Sequence, residues 1–191
     1  NCVRPVSRLA PTPSGFIHAG NAYSFLLTWL LVRRLDGFLH LRIDDLDLIR
    51  LNSECLDDLF RQLKWLGLDY DSGPEGPDEL RAGYSQSLRI PQYELALLQL
   101  REKGMLYACR CSRKQYLDLS SDGLYPRTCS GLDIGFSEPS TAWRLRVPEP
   151  SILPSLRMGV CGELPDLSKE MGDCIVRRKD GLPAYQIASL I

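Results

Sequence analysis

The sequence predicts an α/β fold, a parallel sheet with helices on both faces, interrupted by a small cysteine-containing insertion. Three observations carry that expectation. Runs of strand formers alternate with helical-period segments through the first half of the chain. Consecutive strands are joined through a helix, which requires a parallel pairing and a right-handed crossover. After Cys109 the pattern gives way to a loop-rich stretch in which cysteines cluster.

Residues Val3 to Ala10 are expected to be extended, because Pro5 and Pro11 bias their predecessors away from helix. Pro11-Thr12-Pro13-Ser14-Gly15 is then a stiff loop with a flexible end. A long helix from about Gly20 to Leu35 closes at Asp36-Gly37, and Phe38 to Ile43 reads as a short central strand. Ser53 can cap the next helix, in which Leu56, Leu59, Phe60, Leu63 and Leu66 recur at helical spacing before Gly67. Asp69 to Asp78, with Gly73-Pro74 and Gly76-Pro77, is loop. Pro91 suits the first turn of a further helix that ends at Gly104. Trp143 to Val147 alternates apolar and basic residues, and Cys174 to Tyr185 reads as a hairpin turning at Lys179-Asp180-Gly181.

Composition narrows the function classes. The chain has 191 residues, 44% hydrophobic and 25% charged, as in ordinary globular proteins. A formal net charge of -1 excludes a global basic field, so any RNA contact must come from local patches such as Arg33/Arg34 or Arg177/Arg178/Lys179, runs that equally suit solvated faces. The apolar stretch from Ala22 to Val32 is too short to span a bilayer, and no membrane partner is expected. Seven cysteines, an odd and unevenly spaced set, favour a reducing cytoplasm over a disulfide framework. The absence of an initial Met and the apolar Leu190-Ile191 end lead us to expect a piece of a longer protein.

Three constellations carry chemistry. In the first, Arg8-Leu-Ala-Pro-Thr-Pro-Ser-Gly15 leads into His18-Ala-Gly-Asn21 at the head of a helix. A helix N-terminus after a stiff loop meets phosphate well, and His18 and Asn21 supply donors; His18 is equally suited simply to capping the helix. In the second, Asp44, Asp45 and Asp47 follow a strand. Carboxylates at the carboxyl end of a parallel strand hold ammonium groups, ribose hydroxyls or Mg2+, although acidic turns of this kind also occur as solvated loops. In the third, Cys109-Arg-Cys111 is followed, after thirteen intervening residues, by Tyr125-x3-Cys129. Three thiolates so placed suit zinc, and spacing leaves the fourth ligand open between water and Asp122.

The pair RLAPTPSG...HAGN and LRIDDLD, followed by WLGLDYDSGP, YSQS, REKG and VRRKDGLPAYQIA, resembles the glutamyl-tRNA synthetase family of class I synthetases, over essentially the whole chain. The resemblance implies a Rossmann-like catalytic domain. Its first half would occupy residues 1–108, a zinc-binding insertion and connective region 109–172, and the start of the second half 173–191. It implies that Arg8 pairs with a glutamate carboxylate, that Ala10 and Thr12 line the same pocket, that Asp44 holds the substrate ammonium, and that Tyr185 closes the pocket. Pro11, His18, Gly20 and Asn21 would face ATP with its Mg2+, and His18 and Asn21 would serve the reaction itself. Asp44 stands where the family usually carries Glu.

The Cys-x-Cys...Tyr-x3-Cys pattern is similar to the zinc site of the glutamyl-queuosine tRNA(Asp) synthetase branch, in which the tyrosine oxygen ligates the metal; this implies Cys109, Cys111, Tyr125 and Cys129 as ligands. That branch activates glutamate with ATP and transfers it to queuosine in the anticodon region of tRNA(Asp). By the same resemblance the chain would act as a monomer, and a second glutamate-binding arginine and a KMSKS-type loop would lie beyond Ile191. A piece of a true glutamyl-tRNA synthetase and a non-catalytic RNA-binding zinc module are the alternatives.

Overall fold

The computed structural model describes residues 4–46, 52–118, 120, 122–150 and 166–191. Asp47 and Leu119 fall outside these residues. The chain forms two compact units, Asn1–Ile90 and Pro91–Ile191. Within the second unit the strand bearing Cys109 pairs with a segment that follows it.

In the first unit β1 (Val6–Leu9) pairs in parallel with β2 (Phe38–Leu41), connected through α1 (Ala19–Arg34). Regular strand ends at Leu41 rather than Ile43. The extended pairing nevertheless continues, since Arg42 N–H donates to Leu9 O (2.9 Å) and Asp44 N–H to Pro11 O (2.9 Å). Side chains alternate across the two strands. Leu9, Leu39, Leu41 and Ile43 are buried with Val32 of α1 and with Leu56, Leu59 and Leu63 of α2 (Ser53–Trp65). Both helices thus contribute to one apolar cluster. The alternate positions Arg8, His40 and Arg42 lie on the other side of the ribbon.

Local details have physical causes. The N-cap of α2 is Asn52, whose side chain accepts from Glu54 N–H at 2.9 Å, in place of the expected Ser53; both are good caps, and the turn placed the amide oxygen where it reaches the first turn. Gly73, at φ +132°, presses against β2, and a Cβ there would lie 2.4 Å from Leu41 O. Trp29 Nε1 and Arg33 of α1 reach Asp69 at 2.6 and 2.9 Å, and Arg33 also pairs with Asp71 at 2.8 Å, so this arginine staples the helix to the following loop. After α3 (Pro77–Glu79), a π-helical turn and a 3-10 turn (Gln86–Arg89) lead into α4 (Ile90–Glu102).

The second unit holds an antiparallel sheet of β3 (Leu106–Cys109), β4 (Ala142–Leu145) and β5 (Ile175–Arg177), with β4 central. Short helices α5 (Arg113–Leu117), α6 (Leu167–Glu170) and α7 (Tyr185–Ala188) complete it. The expected turn is present: Gly181 N–H donates to Arg178 O (3.1 Å) with Gly181 at φ +91°, and Arg177 bridges to Pro183. The alternation in β4 misleads, however. Arg144 is buried, because the solvent-side position of this strand is covered by Tyr116 and Tyr125.

Candidate functional site

Arg8, Ala10 and Thr12 point the same way along the extended chain, between buried Leu9, Pro11 and Pro13. Arg8 stands beside His40 in the strand register, and its charge acts on both His40 and Asp44. No hydrogen bond or ion pair holds Arg8 among the described residues, which leaves a forked donor free at the end of the ribbon. His40 Nδ1 lies 3.1 Å from Ser72 Oγ; burial, and then Arg89, Arg42 and Arg8, push the imidazole below its ordinary range, so it stays neutral among these cations.

Asp44 is 8% exposed. Its Oδ1 accepts from Arg42 Nε at 2.7 Å and Gln86 Nε2 at 2.9 Å, while Oδ2 is 3.3 Å from Arg42 Nη2. Burial raises the carboxyl above the usual Asp value, against the opposing pull of Arg42, Arg8 and Gln86. The neighbouring Asp45 accepts from the Gln86 backbone N–H at 2.8 Å, and Gln86 Oε1 accepts from Leu46 N–H at 3.2 Å. Gln86 therefore organises the acidic turn from the following segment. The YSQS motif was visible in the sequence, but nothing local signalled that its glutamine reaches back forty residues.

At the head of α1 His18 is the N-cap, with φ -102° and ψ 167°. Its Nδ1 accepts from Gly20 N–H (3.1 Å) and Asn21 N–H (3.4 Å), and Asn21 Oδ1 accepts from His18 N–H (3.4 Å). The first-turn amides are thus taken by the imidazole itself. An Nδ1 that accepts leaves the proton on Nε2, so the exposed ring edge is a donor. Gly20 permits this cap, since a Cβ there would lie 3.0 Å from His18 Cε1. Pro11, Thr12 and Asn21 line a small cavity beside the same loop. Tyr185 belongs to the second unit, where it opens α7 and is 59% exposed.

In the second unit Cys109 ends β3 and Cys111 follows it; Tyr125 and Cys129 come from a tight turn in which Arg127 adopts φ +58°. The three sulfur atoms lie within 4.8 Å of one another. Cys111 Sγ is 3.5 Å from Cys129 Sγ and 3.7 Å from Tyr125 Oη, and Cys109 Sγ is 3.2 Å from Tyr125 Oη. A tetrahedron with metal–sulfur arms of about 2.3 Å has edges of roughly 3.8 Å, so the donor set fits zinc in both chemistry and spread. Asp122, the alternative suggested by spacing, is instead engaged by Ser120 Oγ (2.7 Å) and Leu124 N–H (3.0 Å).

The electrostatics of the cluster are uneven. Burial opposes ionisation of Cys129, but hydrogen bonds from Tyr125, the Arg110 backbone and the other two thiols outweigh it and bring the thiol down to about 7. Burial raises Cys109 against Tyr125 and Arg144, and raises Tyr125 together with its sulfur neighbours. Thr128 Oγ1, 3.2 Å from Cys111 Sγ and 3.0 Å from Tyr125 Oη, is a further member that the sequence pattern did not indicate. Of the basic runs, Arg177 stacks over Trp143 at 4.7 Å, Arg178 pairs with Asp180 at 2.5 Å, and Lys179 Nζ donates to Arg110 O at 2.6 Å.

The family "tRNA synthetases class I (E and Q), catalytic domain" matches residues 5–121. The chain belongs to this family. It is 37% identical over 191 aligned residues to the glutamyl-Q tRNA(Asp) synthetase of Prochlorococcus marinus strain MIT 9303, covering 96% of this chain and 54% of the relative. It is 34% identical to a glutamate–tRNA ligase of Burkholderia thailandensis, covering 98% of this chain and 41% of that protein. A solved glutamate-tRNA synthetase from Elizabethkingia anophelis shares the fold, with a TM-score of 0.72 at 21% identity over 96% of this chain and 41% of that one. The fold is accordingly the α/β one of a class I synthetase catalytic domain, with its parallel sheet and helices. The chain spans about half the length of the glutamyl-Q relatives that it matches. Among the described residues no helix of this synthetase-family chain is long and apolar enough to cross a membrane.

Proposed function

We propose that this protein activates glutamate with ATP and transfers it to the queuosine base of tRNA(Asp). In the first step an oxygen of the glutamate carboxylate attacks the α-phosphorus, the bond to pyrophosphate breaks, and glutamyl-adenylate forms. The glutamyl group then passes to the modified base and AMP leaves. The protein needs no nucleophile of its own for this; it must align the partners and spread charge.

In this reading Arg8 pairs with a glutamate carboxylate, Ala10 and Thr12 shape the pocket, Asp44 receives the ammonium, and Tyr185 is a further glutamate-binding residue. Pro11, Gly20, Asn21 and the Nε2–H edge of His18 face ATP and its Mg2+. Residues 1–108 and 173–191 then belong to the two catalytic halves, with 109–172 inserted between them. Cys109, Cys111, Tyr125 and Cys129 hold one structural zinc, which would tie β3 to the turn at 125–129 and supply folding energy there. We take the protein to work in the cytoplasm, as a monomer.

The observation that carries the queuosine reading over a glutamyl-tRNA synthetase is the convergence of three thiols and the Tyr125 hydroxyl. It is supported by several relatives at 36–39% identity that bear the glutamyl-Q name. The test is ATP–pyrophosphate exchange by the full-length protein with glutamate and no tRNA, followed by glutamate transfer to tRNA(Asp) with and without queuosine. Exchange without tRNA and transfer only to the modified tRNA are expected. Exchange that requires tRNA, or transfer to a tRNA 3′ end, would assign the protein to the glutamate–tRNA ligases.

A further inference from the structure

Arg144 occupies the central strand of the second unit and is 3% exposed. Its Nη1 donates to Asp173 O at 2.7 Å, while Nε and Nη2 are buried with no hydrogen-bond partner among the described residues. The nearby Asp173 carboxylate does not serve it: that group is taken by Arg127 (3.1 Å), the Tyr107 hydroxyl (2.8 Å) and Val147 N–H (2.8 Å). A buried cation with no anionic partner is costly, and structures keep one only where something compensates.

The guanidinium faces Tyr125 and also lies close enough to Cys109 to favour its thiolate. Its central carbon lies 3.5 Å from the Tyr125 ring centroid and 5.2 Å from that of Tyr116, and the two rings meet edge to face at 5.4 Å. The far end of the Tyr125 ring carries the hydroxyl that sits among Cys109, Cys111 and Cys129. Three thiolates and a phenolate around a divalent cation leave a formally negative centre in a poorly solvated place. A cation over the ring face offsets that charge, because ionising the hydroxyl makes the whole ring more electron-rich.

We propose that Arg144 is the built-in counter-cation of the Cys109–Cys111–Tyr125–Cys129 metal centre, and that its charge allows Tyr125 to ligate as phenolate. The proposal rests on the zinc reading given above and adds a positioning residue to it. Such a role also accounts for the two unpartnered donors: they lie in the field of the anionic donor set, which needs no single directed hydrogen bond to stabilise them.

The test measures zinc affinity of the full chain by competition with a chromophoric chelator, for the parent, Arg144→Met, Arg144→Lys, Tyr125→Phe, and Arg144→Met with Tyr125→Phe. Arg144→Met should weaken zinc between about 10- and 100-fold, as loss of an outer-sphere partner does. Arg144→Lys, which keeps the charge, should lose much less. In the Tyr125→Phe background the Arg144→Met loss should shrink, since one negative charge is gone while the stacking surface remains. The cobalt-loaded parent should show tyrosinate absorption besides its thiolate bands, a readout available even if Arg144→Met does not fold. Unchanged affinity in Arg144→Met, equal losses for Met and Lys, or a cobalt form without tyrosinate absorption would overturn the proposal while leaving the zinc reading intact. A parent chain that binds no zinc would overturn both.

Discussion

Arg42 Nε donates to Asp44 Oδ1 across 2.7 Å, between two residues that point the same way along the extension of β2. The pair is shielded, with side-chain exposures of 13% and 8%, and Gln86 adds a further donor to the same carboxylate oxygen. In the proposed role, Asp44 would therefore already be held in place when a substrate ammonium approaches it. Asp44→Asn should weaken glutamate binding and leave ATP binding nearly unchanged, because the residues proposed to face ATP belong to the head of α1. Asp44→Glu should restore the family's usual residue and much of the activity; if the turn has closed around the shorter side chain, overpacking should cost about 1–3 kcal/mol instead. Separate titrations of glutamate and ATP decide this, and equal loss of both ligands in Asp44→Asn would remove Asp44 from the substrate site.

The raised carboxyl of Asp44 has a pH consequence. A carboxyl raised in the folded state is protonated sooner on acidification than an ordinary Asp. Glutamate affinity should thus fall as the pH drops through a window just above the usual carboxylate range, before ordinary surface acids titrate. The sign for stability is the opposite: protonating a buried carboxyl relieves its burial cost, so this group favours the folded state at low pH and loses that contribution as pH rises through its folded value. Affinity measured against pH for the parent and for Asp44→Asn checks it, since the variant should lack the step.

Arg8 stands without an ion-pair partner among the described residues, which is what a substrate-binding guanidinium needs. Arg8 is exposed in the structure, so the pair is buried only once substrate covers it; Arg8→Ala should then reduce glutamate activation by about 100-fold, within the roughly 2–5 kcal/mol for truncating one partner of a desolvated charge pair. Arg8→Lys should recover only part of it, because an ammonium cannot grip a carboxylate with two parallel bonds. Normal glutamate affinity in Arg8→Ala would make Arg8 a structural residue.

Loss of a thiolate leaves an incomplete tetrahedron. Cys109→Ala and Cys129→Ala should each release the zinc and loosen the turn at 125–129, whereas Tyr125→Phe should bind metal more weakly but retain it, with water taking the vacated position. Metal analysis together with hydrogen exchange of the second unit distinguishes these cases. A purified parent protein with no zinc would refute the assignment.

Gly20 sits tightly against the His18 cap. A methyl at this position would lie 3.0 Å from the imidazole, so Gly20→Ala should push the ring off the first-turn amides. The expected cost is about 1 kcal/mol of stability, the usual value of an N-cap, together with a raised KM for ATP. Unchanged stability and an unchanged KM would show that the ring adjusts freely.

The sequence by itself determined the order of strands and helices in the first half, because strand formers, apolar spacing and Gly or Pro punctuation act locally. It also indicated the gathering of Cys109, Cys111 and Cys129, since thiols within about twenty residues need only one turn to meet, whereas spacing left the fourth position open and Tyr125 entered through the family resemblance. Contacts between segments distant in sequence were decided by tertiary structure. Gln86 reaches Asp44 and Asp45 across more than forty residues. Arg144 occupies what alternation marks as a solvent position, because Tyr116 and Tyr125 fold over it. Period and propensity report which face of an element a residue is on. They cannot report what another part of the chain will lay against that face, and in this protein that is where the charges of both sites are set.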